Sequence, residues 1–116
     1  MSRKAQYQIV LVTCGSAAEG RRIARTVVRK RLAACVNLVG ARVESVYWWN
    51  GRIETGSERF LIMKTNAKRA KELEAEVRRL HSYDVPEFLV IKIDGGSKEY
   101  LEWVGNSLGP GKKKEI

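Results

Sequence analysis

The sequence predicts an α+β fold, an antiparallel sheet backed by helices in the order β-α-β-β-α-β with a closing helix. Three observations predict it. Stretches rich in β-branched and aromatic residues cover 6–14, 35–65 and 87–94. Between them, residues 16–33 and 66–81 carry apolar side chains at helical spacing. Asn50-Gly51 interrupts the longest stretch with the residue pair that suits a two-residue hairpin turn, where both positions need φ > 0.

Each element has its own signal. Residues 6–14, QYQIVLVTC, read as a buried strand closed by Gly15. Ser16 and Glu19 form a capping box, and Ile23, Ala24, Val27, Val28 and Leu32 follow at helical spacing with arginines on the other face. Residues 35–49, CVNLVGARVESVYWW, return to strand character, with a bend or bulge expected at Gly40. Residues 52–65 run back as the partner strand, and Gly56 is expected to be a second irregularity. Asn66 reads as the N-cap of the next helix, whose apolar face is Ala70, Leu73, Val77 and Leu80. Pro86 stops continuation and holds Val85 extended; residues 87–94 form the last strand, and a helix entered at Ser97 follows. Right-handed crossovers put the first and third strands at the centre and the last at an edge, the ferredoxin-like split βαβ plan. A chain of 116 residues supports one core, so residues 1–108 are expected to form a single domain and 109–116 a basic tail.

Composition narrows the function classes. Apolar residues make up 44%, too many for a disordered chain. Runs such as Ile9–Val12 and Phe88–Ile91 fall far short of the roughly 20 residues that span a bilayer, so no membrane role is expected. The basic start before a short apolar run is rejected as an export signal because Thr13, Cys14 and Gly15 break it, leaving the cytoplasm as the expected location. The net charge of +9 concentrates on the helix with Arg21, Arg22, Arg25, Arg29, Lys30 and Arg31, and on the two ends. That helix reads either as an electrostatic footprint or as a solvated face.

The only histidine, His81, stands in HSYDVPE, residues 81–87. The second helix delivers it to the end of the sheet where the first strand finishes at Cys14, whereas Cys35 starts at the opposite end. Cys14 and His81 can therefore meet, and a thiolate with an imidazole suits copper or zinc, although two donors make an incomplete site and a third would have to come from Asp84, Glu87 or a neighbouring subunit. The plain alternative is that His81 caps the helix C-terminus, and that both cysteines are small buried thiols. The hairpin strands, about fourteen residues each, outrun two helices and carry Val46, Tyr47, Trp48 and Trp49 beyond them. Such an aromatic overhang and its bare edges predict a closed homo-oligomer.

The chain resembles the CutA divalent-cation tolerance family. The resemblance rests on VLVT in the first strand, RLAACVN (31–37), SVYWWNGRIE (45–54), LIMKT (61–65), HSYDVPE (81–87) and YLEW (100–103), in order over about residues 7–108. It implies a ferredoxin-like protomer in a homotrimer with interwoven hairpins, and a cytoplasmic protein of copper and other divalent-cation tolerance. It implies no catalytic reaction and no metal needed for folding. His81 matches the histidine opening the family's H-P-Y-x-x-P-E motif, with Ser82 in place of the usual proline and Asp84 where Glu is common. A cysteine proposed as a copper ligand in some members aligns with Val12; Cys14 stands two residues later, on the same strand face. Cys35, Tyr47, Trp49, Lys64, Tyr83, Glu87 and Trp103 also match, and the resemblance implies a subunit cleft in which Lys64 faces Glu87 beside Tyr83 and Trp103. These residues read either as a site for a small ligand or partner protein, or as an interface with packing aromatics.

Other activities find little support. One histidine and no Ser-His-Asp set argue against nucleophilic catalysis, and TCGSAAEG lacks the arginine an acylphosphatase places after its first strand. RNA-recognition modules need stacking aromatics on the two central strands; Tyr7 and Phe60 alone do not supply that pattern, so nucleic acid is not expected as a partner, and a non-specific RNA binder through the basic helix is a remote alternative. A trimeric sensor holding a small anionic ligand near Lys64 remains the second reading.

Overall fold

The computed structural model describes residues 6–110. Its elements are β1 (Tyr7–Cys14), α1 (Ala17–Arg29), β2 (Cys35–Leu38), β3 (Val43–Trp49), β4 (Arg52–Asn66), α2 (Ala70–Leu80), β5 (Leu89–Lys92) and α3 (Lys98–Ser107). The sheet order is β2-β4-β1-β5, with β3 also paired to β4, and every pairing is antiparallel. The architecture is therefore α+β, with β4 and β1 in the centre.

Period-two alternation in β1 sorts its side chains between two faces. Gln8, Val10, Val12 and Cys14 are buried, while Ile9, Leu11 and Thr13 are half-buried. Ile23 and Val27 of α1 and Leu73 and Val77 of α2 cover the first set together with Leu61 and Met63, and this is the core. The opposite face is covered among the described residues only at one end, where Val104 and Leu108 meet Tyr7 and Ala34. Gly105 permits that approach, since a Cβ there would lie 3.0 Å from the Tyr7 hydroxyl.

Several boundaries differ from those the sequence predicts. The strand expected over 35–49 is split by residues 39–42. Leu38 faces Leu61 and Val43 faces Glu58, so four residues oppose two, a bulge that holds Gly40. The Arg59 guanidinium donates to the Gly40 carbonyl at 3.1 Å and fixes the bulge. β4 instead runs unbroken through Gly56, because the bulge on its partner absorbs the mismatch. α1 stops at Arg29 rather than continuing to Ala33. Arg31 adopts φ 59, and the N–H groups of Arg31 and Leu32 return to the carbonyls of Val28 and Val27, a Schellman closure. α2 starts at Ala70, not directly after Asn66, whose side chain accepts from the Arg69 N–H and caps the preceding turn. β5 is confined to Leu89–Lys92. Asn50 and Gly51 have φ 53 and 76, as their hairpin turn requires. Gly109, placed in the tail by sequence, donates to the Arg31 carbonyl at 3.0 Å; the expected tail from 111 onward lies outside the described residues.

Candidate functional site

The chain after α2 is built around His81. Its backbone N–H closes the helix on the Arg78 carbonyl, while its ring turns away from that helix. Nε2 lies 2.7 Å from the Thr13 carbonyl oxygen, which can only accept, so this nitrogen carries the proton. Nδ1 accepts the Tyr83 backbone N–H at 3.1 Å. The network thus assigns the Nε2–H tautomer and occupies both ring nitrogens. The side chain is fully buried, and the Glu19 carboxylate stands 3.5 Å from Nδ1.

Glu19 ties three segments to this corner. It accepts from the Gly15 N–H at 3.3 Å, and from the Ser82 N–H and hydroxyl at 2.7 and 3.1 Å. Its own N–H meets the Ser16 hydroxyl at 3.1 Å. The expected capping box is therefore present in altered form, with the carboxylate reaching Gly15 and a distant loop rather than Ser16. Burial pushes the Glu19 carboxyl up, but the bonds from Ser82 and Gly15 outweigh it and hold it below the usual carboxylate range.

This lock aims residues 83–87 across the open sheet face. The Tyr83 hydroxyl donates to Glu58 Oε2 at 2.8 Å, and the Ser45 hydroxyl to Oε1 of the same carboxylate at 2.6 Å. Between the β3–β4 arm and this loop lies a cavity of about 610 Å³, lined on its polar side by Thr13, Ser45, Glu58, Tyr83, Asp84 and Glu87. Val46, Tyr47, Trp49, Val85 and Pro86 complete its walls, and among the described residues no lysine or arginine lines it. Burial first, and the Glu58 charge second, push the Glu87 carboxyl upward. Burial and the bond to Glu58 also push the Tyr83 phenol upward, so it acts as a donor and not as a base.

Of the residues singled out by sequence, Tyr47, Trp49, Tyr83 and Glu87 come together in this cavity. Cys35 and Lys64 face each other across β2 and β4, where the Lys64 ammonium donates to the Asn37 side chain. Lys64 is thus not opposite Glu87 within this chain, and an anionic ligand finds no cation among the described residues that line this cavity. Trp103 stacks on Tyr100 of α3, with centroids 5.6 Å apart. Asp84, offered by sequence only as a third donor for the Cys14–His81 edge, lies in this cavity instead; Glu19, Ser45, Glu58 and Thr13 were not foreseen. Only Glu19 had a local signal, its capping position; the others join through sheet register and the path of a loop.

The Cys14–His81 edge does not fit a soft metal as it stands. The imidazole has no free nitrogen. The Cys14 thiol is buried and points to the Ser16 carbonyl at 3.4 Å. Burial above all raises its pKa, which disfavours the thiolate that binds metal. Among the described residues no three His, Cys, Asp or Glu side chains stand close enough to hold an ion.

Comparison with known proteins places this architecture. The family described as CutA1 divalent ion tolerance protein matches residues 8–107. The chloroplastic CutA 1 protein of Oryza sativa subsp. japonica is 43% identical over 99 residues, which cover 85% of this chain and 55% of that protein. The chain thus spans about half the length of the plant relatives it matches. The divalent-cation tolerance protein CutA of Thermus thermophilus is 38% identical over 102 residues, 88% of this chain and 98% of that one. Among solved structures, CutA1 from Oryza sativa superposes with a TM-score of 0.89 at 40% identity, covering 95% of this chain and 100% of the other. The Thermus thermophilus protein gives 0.86 at 38%, covering 89% and 99%. The chain belongs to the CutA1 divalent ion tolerance family.

Proposed function

We propose that this chain works as a homotrimeric, cytoplasmic divalent-cation tolerance protein of ferredoxin-like plan, with no catalytic reaction of its own. Its site is the cleft at Glu58, Tyr83 and Glu87 rather than the Cys14–His81 edge. The observation that carries this reading is the cavity itself. In a chain of net charge +9, it gathers Glu58, Asp84 and Glu87 with no basic side chain among the described residues that line it. Oxygen donors of this kind take hard or borderline divalent cations. Their separation in one protomer makes the binding weak until a partner copy closes the cleft. Assembly is supported by the half-covered sheet, and a reducing compartment by two free cysteines.

Calorimetric titration of Cu(II) and Mn(II) into wild type, Glu58→Gln/Glu87→Gln and Cys14→Ser tests it. Weak binding that disappears only in the double glutamine variant is expected. Heat that follows Cys14 and ignores the carboxylates would sink the assignment. A second reading, a small organic ligand in the same cleft, is favoured by its size: about 610 Å³ lies in the range of small-molecule sites and exceeds the needs of an ion.

A further inference from the structure

The outer arc of α1 has no part in the cleft. Arg21, Arg22, Arg25 and Arg29 are exposed along it, while Glu19, Gly20, Ile23, Ala24 and Val27 fill the buried arc. At 1.5 Å per residue, Arg21 to Arg29 spans about 12 Å. Arg22 donates to the Leu80 carbonyl at 2.9 Å. Among the described residues, no ion pair or side-chain hydrogen bond engages Arg21, Arg25 or Arg29. The only acid of the helix, Glu19, is turned inward. α2 is built differently: Arg79 and Lys30 share Glu76, and Arg69 pairs with Glu72. The charge of α2 is neutralised in place, and that of α1 is not.

We propose that this arginine ridge binds the phosphate backbone of single-stranded RNA. Guanidinium forks match phosphate oxygens bidentately, which a run of arginines exploits better than lysines. Apart from Val28, which is 39% exposed, the large apolar side chains of α1 are buried against the sheet, so the helix has too little to insert among lipid tails, as an interfacial helix must. No aromatic side chain stands on the ridge, which removes base stacking and makes recognition independent of sequence. The ridge is convex: a stiff duplex touches it at a point, whereas a flexible strand follows it. It also lies on the helix-covered side of the sheet, away from the open face, and stays accessible when copies associate through that face.

The test is fluorescence anisotropy of a labelled oligouridylate against the full chain across a salt series. Wild type is compared with Arg21→Gln/Arg25→Gln/Arg29→Gln and with the triple lysine variant. Four phosphate contacts predict a log–log salt slope of about −3, and the glutamine variant should lose about 2 of that slope and more than about tenfold in low-salt affinity. The lysine variant should keep most of the slope, and an unchanged thermal midpoint verifies that both variants fold. Unchanged binding in the glutamine variant would assign the effect to the basic ends of the chain and overturn the proposal. Equal losses in the lysine and glutamine variants would overturn its electrostatic basis. So would binding of phosphatidylserine vesicles by wild type without binding of the RNA.

Discussion

Val10 and Val12 are sealed beneath α1 and α2, whereas Ile9 and Leu11, their neighbours in the same strand, are only half-buried on the other side. The contrast extends across the sheet. Registration places Phe60, Ile62, Leu89 and Ile91 on the face of Ile9, Leu11 and Thr13, and Leu89 and Ile91 remain 54% and 48% exposed. An antiparallel sheet that faces water on one side ordinarily makes that side polar. Here both sides are apolar, and among the described residues the second is covered only in part. The difference teaches that the covered side fixes the fold of one copy, and that the open side, with the aromatic arm beyond it, supports the assembly proposed above.

The sharpest separation of the two sides comes from a core truncation. Leu73 is fully buried, so Leu73→Ala should lower stability by about 2–5 kcal/mol in urea unfolding, with little recovery at higher protein concentration. A loss below 1 kcal/mol would mean that the covered face does not carry the fold. The arm gives the reverse signature. Trp48 is 70% exposed, and Trp48→Glu should leave the secondary structure intact while weakening association by about 2 kcal/mol, the scale of a buried aromatic anchor. Sedimentation at falling concentration checks it, and an unchanged assembly would remove the arm from the interface.

The covered face was legible in the sequence and the open one only in part, for reasons of range. The spacing of Ile23, Val27, Leu73 and Val77 is local, and it indicated both helices and the side each one buries. Where β2 breaks is a matter of register: Gly40 marked the place, but the two-residue mismatch arises from how Leu38 and Val43 pair with β4. The same holds for the site. Tyr83 and Glu87 could be singled out within HSYDVPE, but their meeting with Glu58 and Ser45 depends on the lock at His81, which joins residues far apart in the chain. Lys64 and Trp103 match the family's positions, yet in this chain they lie away from the cavity. Resemblance conveys which residues recur, not where the fold brings them.

That lock sits at the seam between the two faces, and pH probes it. Glu19 is held below its ordinary value of 4.5, so its contribution is complete above that pH and is lost as acid protonates the folded protein. Glu19→Gln should cost about 1.5–3 kcal/mol at neutral pH, the scale of hydrogen bonds to a charged group. It should also flatten the fall in stability below pH 4.5. Glu76, held to about 2 mainly by its bond to Arg79 and by Lys30, leaves a residual acid slope. Glu76 is itself mostly covered, but its partners Lys30 and Arg79 are exposed, so salt should weaken that residue's share more than the share of Glu19. An acid profile identical in wild type and E19Q would show that the seam is not where protons act.

The smallest effect belongs to the arm tip. Gly51 has φ 76 and open space around it, so Gly51→Ala meets no clash and pays only for a left-handed backbone, about 1 kcal/mol. The cost is local to a turn far from the core packing of Leu61 and Met63. If the arm is anchored only by its own hairpin, it should fray: amide exchange should quicken from Trp48 to Ile53 and stay unchanged in β1. If a neighbouring copy holds the arm, exchange there should stay slow at high protein concentration and quicken on dilution. The concentration dependence of those few amides therefore reports whether the open side of the molecule is covered in solution.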